Sequence, residues 1–386
     1  MSFENISTQL ILFLILYGIT AAVPFMAAVY LLLRRGNAIA PGVRPPVRLR
    51  YWTASFFAVT SLAHVWWLLF YSYSGDLNSV AYQVIVMFDC TLMFTSFAGM
   101  LLAMLQDRRR PVWPALLAMI PFLLLVVAHI IYPSQLLMLM AAGYLLLLGL
   151  LFTGYMVVAV RQYGRWLNDN YADLENKKVW LCQTVSLVCM LLFVLYVLAI
   201  DMVLIWIIHI IELILVGLLL WRVETLPRLQ TLPHPLPIME GSEYSQGNNV
   251  TEEPSTPLNS CSPQTVVPVN IDLEEIEQML IEHCVNTQLY LKHDLNLAQL
   301  AQAVGTNRYY LSQYFSRKGI TYNIYINNQR INHFIRRYDE LTAAGQPIVA
   351  QQLAIESGYR SYSTFSLAFK QRTGQSVTAW MRESDE

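Results

Sequence analysis

Charge is what this chain has least of. Only 13% of its 386 residues are Asp, Glu, Lys or Arg while 55% are apolar, which excludes one soluble globular domain as the account of the whole length. The deficit is local. Between Met1 and Trp221 nearly every charge falls in a short cluster, whereas Asn270 to Glu386 has the mixed composition of a globular domain. Cysteine is scarce too: Cys90, Cys182, Cys189, Cys261 and Cys284 form no CxxC pair, and the first three lie in apolar runs. That excludes a disulfide framework and a cysteine zinc site, and fits buried thiols in a reducing compartment. The apolar runs contain no GxSxG or HExxH signature, so no enzyme activity is expected. They also lack the paired Gly/Pro-broken segments of a secondary transporter, and Pro24 and Pro121 are expected to kink single helices at most. No cationic region and cleavage site of a removable signal peptide precede the first run, so that helix is expected to be retained.

What the first part does contain is seven apolar runs, roughly 9 to 33, 52 to 73, 81 to 105, 113 to 131, 136 to 160, 179 to 200 and 203 to 221. Each reaches or nears the ~20 residues that span a bilayer core. The last two nearly touch, so Asp201 and Met202 are expected to form a tight turn. One set of connections carries Arg34, Arg35, Arg44, Arg48, Arg50, then Arg108, Arg109, Arg110, then Arg161, Arg165, Lys177 and Lys178; the alternate set carries no Lys or Arg. By the positive-inside rule the N-terminus is expected to lie outside and the C-terminal part in the cytoplasm.

Ionisable residues within these runs are costly and stand as site candidates. At ~1.5 Å per residue His64, Asp89, His209 and Glu212 share one layer, on the order of 10 to 15 Å below the outer surface. Two readings compete. One is a small polar pocket, open from outside, that binds a small-molecule ligand or a divalent metal, since imidazole and carboxylate together suit zinc-like ions; the other, which is preferred, is a set of interhelical hydrogen bonds, supported by nearby Ser, Thr and Tyr, that fixes helix packing. No metal ligand set and no cofactor is assigned. His129 and Asp201 sit at the outer edge, where water reaches them.

Residues 223 to 270 fill with Pro, Ser, Asn, Thr and Glu, a composition expected to form a disordered linker. As a coil of about 46 residues, the stretch from Thr225 to Asn270 averages roughly 35 to 40 Å end to end. Residues 271 to 386 then hold an amphipathic helix, about Asp272 to Asn286, and two copies of one pattern. In LNLAQLAQAVGTNRYYLSQYF a short helix (Leu297 to Val304), a turn at Gly305 and an N-cap at Asn307 lead to a helix through Arg317. In IVAQQLAIESGYRSYSTFSLAFK the counterparts are Ile348 to Glu356, Gly358, Ser361 and a helix through Arg372. A long helix, Tyr322 to Leu341, separates the two helix-turn-helix units.

The doubled arrangement, LAxxxG…YLSQYF followed by LAxxxGYxSYSTFSxAFK, resembles the AraC/XylS family of bacterial transcription regulators over about Leu289 to Arg382. The resemblance implies two reading helices that enter successive major-groove segments of double-stranded DNA. By position match the first presents Asn307, Arg308, Tyr309, Ser312 and Gln313, and the second Ser361, Tyr362, Ser363, Ser366 and Lys370; Leu311, Phe315, Phe365 and Phe369 match core positions. Gln313, Tyr309 and Tyr362 are candidates for base readout, and Arg308, Arg317, Lys318, Arg360, Lys370 and Arg372 for phosphate contact. Three departures stand out: Val377 replaces the usual Pro of the closing pattern (GQSVTAWMR) and is expected to loosen the last helix, Leu367 sits where Arg is common, and FSRKG is one residue short. From Lys292 to Arg382 the net charge is +7, which favours a phosphate backbone.

The expected architecture is all-α: an N-terminal seven-helix transmembrane bundle joined to a soluble AraC-type double helix-turn-helix domain. Its expected function is transcription regulation under control of a stimulus sensed by the membrane part. DNA and the lipid bilayer are the partners, with RNA polymerase and a second copy as further candidates. The alternatives are a transporter or small-molecule-handling membrane protein with an appended DNA-binding domain, and a plain membrane tether for a regulator.

Overall fold

The computed structural model describes residues 8–73, 76, 79–174, single positions between 177 and 192, 202–229 and 273–384. Among them every regular element is a helix. They form two compact units, one within Met1–Asn168 and Asp173–Gln230, the other within Asp169–Ala172 and Thr231–Glu386.

The first unit holds α1 (Thr8–Leu33), α2 (Val47–Tyr73), α3 (Val80–Met104), α4 (Trp113–Leu117), α5 (Ile120–Ile131), α6 (Gln135–Asn170) and α7 (Met202–Thr225). Taking α4 and α5 as one, six helices are long and apolar enough to cross a bilayer among the described residues, not the seven expected. The run at 179 to 200 lies largely outside the described residues, as do Asp201, most of the proposed linker and the turn expected at Asp201. Two local differences have plain causes. The fourth run breaks at Ala118 and Met119, because Pro121 in the first turn of α5 has no N–H to continue the ladder. The fifth continues ten residues past its apolar stretch to Asn170, so α6 is about 54 Å long at ~1.5 Å per residue.

This unit is turned inside out relative to a soluble domain. Thr20, Thr53, Thr60, Ser61, His64, Gln83 and Ser96 are buried, while Phe25, Met26, Leu69, Leu139, Leu151 and Ile214 are exposed. Several buried hydroxyls close back on their own helices, as Thr53 Oγ1 does on Leu49 O at 2.9 Å and Thr60 Oγ1 on Phe56 O at 3.0 Å, which satisfies them despite burial. Gly99 lets α3 approach α2: a Cβ there would lie 2.2 Å from the Trp52 ring. Several of the clustered arginines are structural as well as basic. Arg34 forms an ion pair with the buried Glu224 at 2.6 Å, and Arg110 forms one with Asp107.

In the second unit α8 (Leu273–Leu280) continues as one π-helical turn (Ile281–Val285), where the sequence predicted one uniform helix. Then come a 3-10 turn (Leu289–Leu291), α9 (Leu297–Ala303), α10 (Arg308–Arg317), α11 (Tyr322–Ala343), α12 (Ala350–Glu356), α13 (Tyr362–Thr373) and α14 (Val377–Ser384). Capping sets most of these starts. Asn296 and Gln299 form a capping box for α9, Asn307 Oδ1 accepts from Tyr310 N at 3.0 Å, and Ser361 Oγ accepts from Thr364 N at 3.3 Å. Only α12 starts two residues late; Ile348 and Val349 follow Pro347 in extended backbone and Val349 supplies no side-chain cap.

Helix α11 is the spine of two cores. Its first half places Tyr322 and Ile326 with Leu300, Leu311 and Phe315, and its second half places Ile331, Phe334 and Tyr338 with Leu353, Phe365 and Phe369. All four apolar positions named from the family resemblance are buried. Val377 does not loosen α14: it opens that helix, is buried in the second core, and Trp380 one turn on lies 5.0 Å from Tyr338 and 5.5 Å from Phe369.

Candidate DNA interface and a polar cluster among the apolar helices

Both helix-turn-helix units turn on glycines with left-handed backbone, Gly305 at φ +78 and Gly358 at φ +92. On α10 the side chains of Arg308, Tyr309, Ser312 and Arg317 are exposed and Gln313 is half-buried, with Gln313 Nε2 3.5 Å from the Tyr309 hydroxyl. Tyr309, an aromatic ring 59% exposed, is the most conspicuous of them. On α13 Ser363, Leu367, Lys370 and Arg372 are exposed, while Tyr362 and Ser366 are half-buried.

Several of the expected contacts already have work inside the domain. Asn307 and Ser361 are helix N-caps, and Ser361 also shares a hydrogen bond with Ser363 at 3.0 Å. Lys318 pairs with Glu277 at 2.7 Å, Arg360 with Asp294, and Arg372 donates to Asn328 O at 2.7 Å and to Asn332. Both ion pairs are solvent-exposed and therefore weak. Arg308, Arg317 and Lys370 are exposed cations of the two reading helices.

Arg330 was not among the expected residues, and it ties the domain together. It is 1% exposed, donates from Nε to Tyr290 O at 2.7 Å and from a terminal nitrogen to Lys292 O at 2.8 Å, and lies 5.4 Å from the Tyr359 ring. An arginine in a helix reads as a surface cation in sequence; only the carbonyls brought beside it reveal its role.

The other cluster lies within the first unit, on α2, α3 and α7. His64 Nε2 and His209 Nδ1 each stand 3.5 Å from Glu212 Oε2. His64 Nδ1 meets Thr60 O at 2.8 Å, and Asp89 accepts from Trp67 Nε1 at 3.2 Å. Tyr17 of α1 closes one side, its ring 5.0 Å from His64 and 5.5 Å from His209, its hydroxyl donating to His64 O at 2.8 Å. Three of the four polar candidates are thus in one cluster; Asp89 adjoins it through its charge on His64 and Glu212. Thr60, Tyr17 and Trp67 carried no sequence signal of this role.

A sequence-family model described as a helix-turn-helix domain matches residues 300–383, from the middle of α9 through nearly all of α14. It supports an AraC-type DNA-binding domain there, a class of DNA-binding protein and not of enzyme. No curated protein and no solved structure matches the chain.

Proposed function

We propose that this protein is a transcription regulator embedded in the cytoplasmic membrane of a bacterium, with the N-terminus outside and the DNA-binding domain in the cytoplasm. The observation that carries the reading is a helix-turn-helix match at 300–383 in the same chain as six apolar helices whose outward faces are apolar. Such faces cost free energy in water and none in lipid. The cationic loops support the orientation.

Double-stranded DNA is read by α10 and α13. Arg308, Tyr309, Ser312, Gln313, Ser363, Ser366 and Tyr362 lie toward the groove, with Asn307 and Ser361 shaping the helix starts. Arg317, Lys318, Arg360, Lys370 and Arg372 grip the backbone. His64, Asp89, His209 and Glu212 sense the stimulus, and the long linker favours signalling by proximity, dimerisation or release over a rigid lever. RNA polymerase is the natural cytoplasmic partner, and a homodimer gains avidity on paired sites.

The test is genome-wide DNA occupancy of the full-length protein in its host, beside a Tyr309→Ala/Gln313→Ala variant at equal expression. Discrete peaks lost in the variant are expected. Absence of discrete peaks for the intact protein across growth conditions sinks the regulator reading and moves transport to the front.

A further inference from the structure

We propose that His64, His209 and Glu212 bind a first-row transition-metal dication of zinc type, entering from the outer face. The proposal names the stimulus for the sensing suggested above and rests on that reading for its effect on DNA, though not for binding itself.

Geometry argues first. The three donor atoms all lie within 4.8 Å of one another, two of the separations being 3.5 Å. Donors about 2.0 to 2.1 Å from a tetrahedral ion stand about 3.4 Å apart, which the two distances to Glu212 match, and the two imidazole nitrogens, within 4.8 Å of each other, close on an ion by side-chain adjustment. A direct ion pair fits less well, because charge-assisted N–H···O bonds are about 2.7 to 2.9 Å. His209 Nδ1 is buried and meets no hydrogen-bond geometry.

Tautomer argues second. His64 Nδ1, 2.8 Å from the Thr60 carbonyl, must carry a proton to make that bond, so in the neutral ring the Nε2 lone pair faces Glu212. A ring nitrogen donating to a backbone carbonyl while the other faces the cluster is how metal-ligating histidines are oriented. Without a proton or a cation between them, that lone pair and the Glu212 carboxylate repel.

Charge argues third. Two imidazoles and one carboxylate inside an apolar bundle leave a negative charge whose burial is costly, and a cation held among them offsets it. Neither Cys90 nor Cys189 belongs to the donor set. Imidazole with carboxylate and no thiolate selects zinc, nickel, cobalt or iron(II) over copper(I). Three protein donors leave a fourth position for water, the pattern of an exchangeable ion and not of a closed structural one. Asp89 Oδ1 is likewise buried and without a hydrogen-bond partner.

The experiment is zinc binding by the full-length protein in lipid nanodiscs after chelation, read by equilibrium dialysis, with cobalt(II) absorption as a second signal. One ion per chain and an intense tetrahedral cobalt band are expected. Affinity is expected to fall at least tenfold in each of His64→Asn, His209→Asn and Glu212→Gln, about the low end of what metal-site changes cost. His209→Asp, which keeps a ligating group, is expected to retain binding, and so is the distant His129→Ala; these show that loss elsewhere is not misfolding. No stoichiometric ion in the wild type, or affinity unchanged in the three variants, overturns the site. DNA occupancy with and without added zinc is measured separately. Metal binding without any DNA reading would sink the regulator proposal and leave the site standing.

Discussion

Arg330 Nε donates to the carbonyl oxygen of Tyr290 at 2.7 Å, and a Cβ added to Gly358 would lie 3.0 Å from that same nitrogen. The guanidinium thus occupies the space left by the glycine of the second turn, and it holds the strap before α9 against the spine helix α11.

Replacing Arg330 with methionine strands the Tyr290 and Lys292 carbonyls, each at a cost of about 1 to 3 kcal/mol when buried. Destabilisation of about 2 to 4 kcal/mol is expected, read by amide exchange across residues 297–343 of the full-length protein. Unchanged exchange would refute the tie.

Gly358→Ala and Gly305→Ala separate two costs. Both backbones are left-handed, but a Cβ at Gly358 meets Leu291 Cα and O at 2.9 Å, whereas at Gly305 it meets nothing within 4 Å. Gly305→Ala is expected to cost about 1 to 2 kcal/mol from conformation alone and Gly358→Ala more. Equal costs would show that the close approach relaxes freely.

Arg360 is engaged by Asp294 and both are exposed. Asp294→Asn is expected to change stability by less than about 1 kcal/mol while strengthening DNA binding. Arg360→Ala is expected to weaken binding uniformly across sequences and to lower the log–log salt slope by about 0.9, the share of one phosphate contact. Salt titrations on a bound promoter fragment check both.

His333 is buried, accepts a hydrogen bond from Arg336 at 3.0 Å, and its pKa is lowered, chiefly by burial and then by the charges of Arg336 and Arg337. Its folded pKa lies below the ordinary histidine value of 6.5, so the unfolded chain takes the proton first. Stability tied to His333 is therefore full above that value and declines as pH falls below it through the folded pKa. Protection factors in α11, which correct exchange for its intrinsic fall with pH, are expected to drop over that window, and His333→Gln to remove the dependence.

Burial pushes the Cys284 thiol up to about 11. At pH 8 its thiolate is about one part in a thousand, so iodoacetamide is expected to leave it untouched in the folded protein and to label it after denaturation. Labelling of the native domain at the rate of a free thiol would contradict the placement.

Much of the architecture was legible because it is local. Runs such as 9 to 33 and 203 to 221 are set by length and apolarity, and they return within a few residues as Thr8–Leu33 and Met202–Thr225. Both helix-turn-helix units follow from caps and glycines a few residues from the helices they bound, and so Asn307 and Ser361 were found at their places. Apolarity and helicity part company at α6, which runs past its apolar stretch to Asn170 with no Pro from Arg161 to Asn170 to stop it.

What the sequence by itself determined was which segments are helices, which of their faces are apolar, and that the C-terminal part carries two helix-turn-helix units, since periodicity and capping act over a few residues. Only the tertiary structure decided that His64 of α2 meets His209 and Glu212 of α7, that Arg330 is a buried tie, and that Arg360 has an acidic partner in Asp294. Those relationships join residues far apart in the chain, and a side chain's charge state and partners are set by what packing brings within a few ångströms, which no local pattern records.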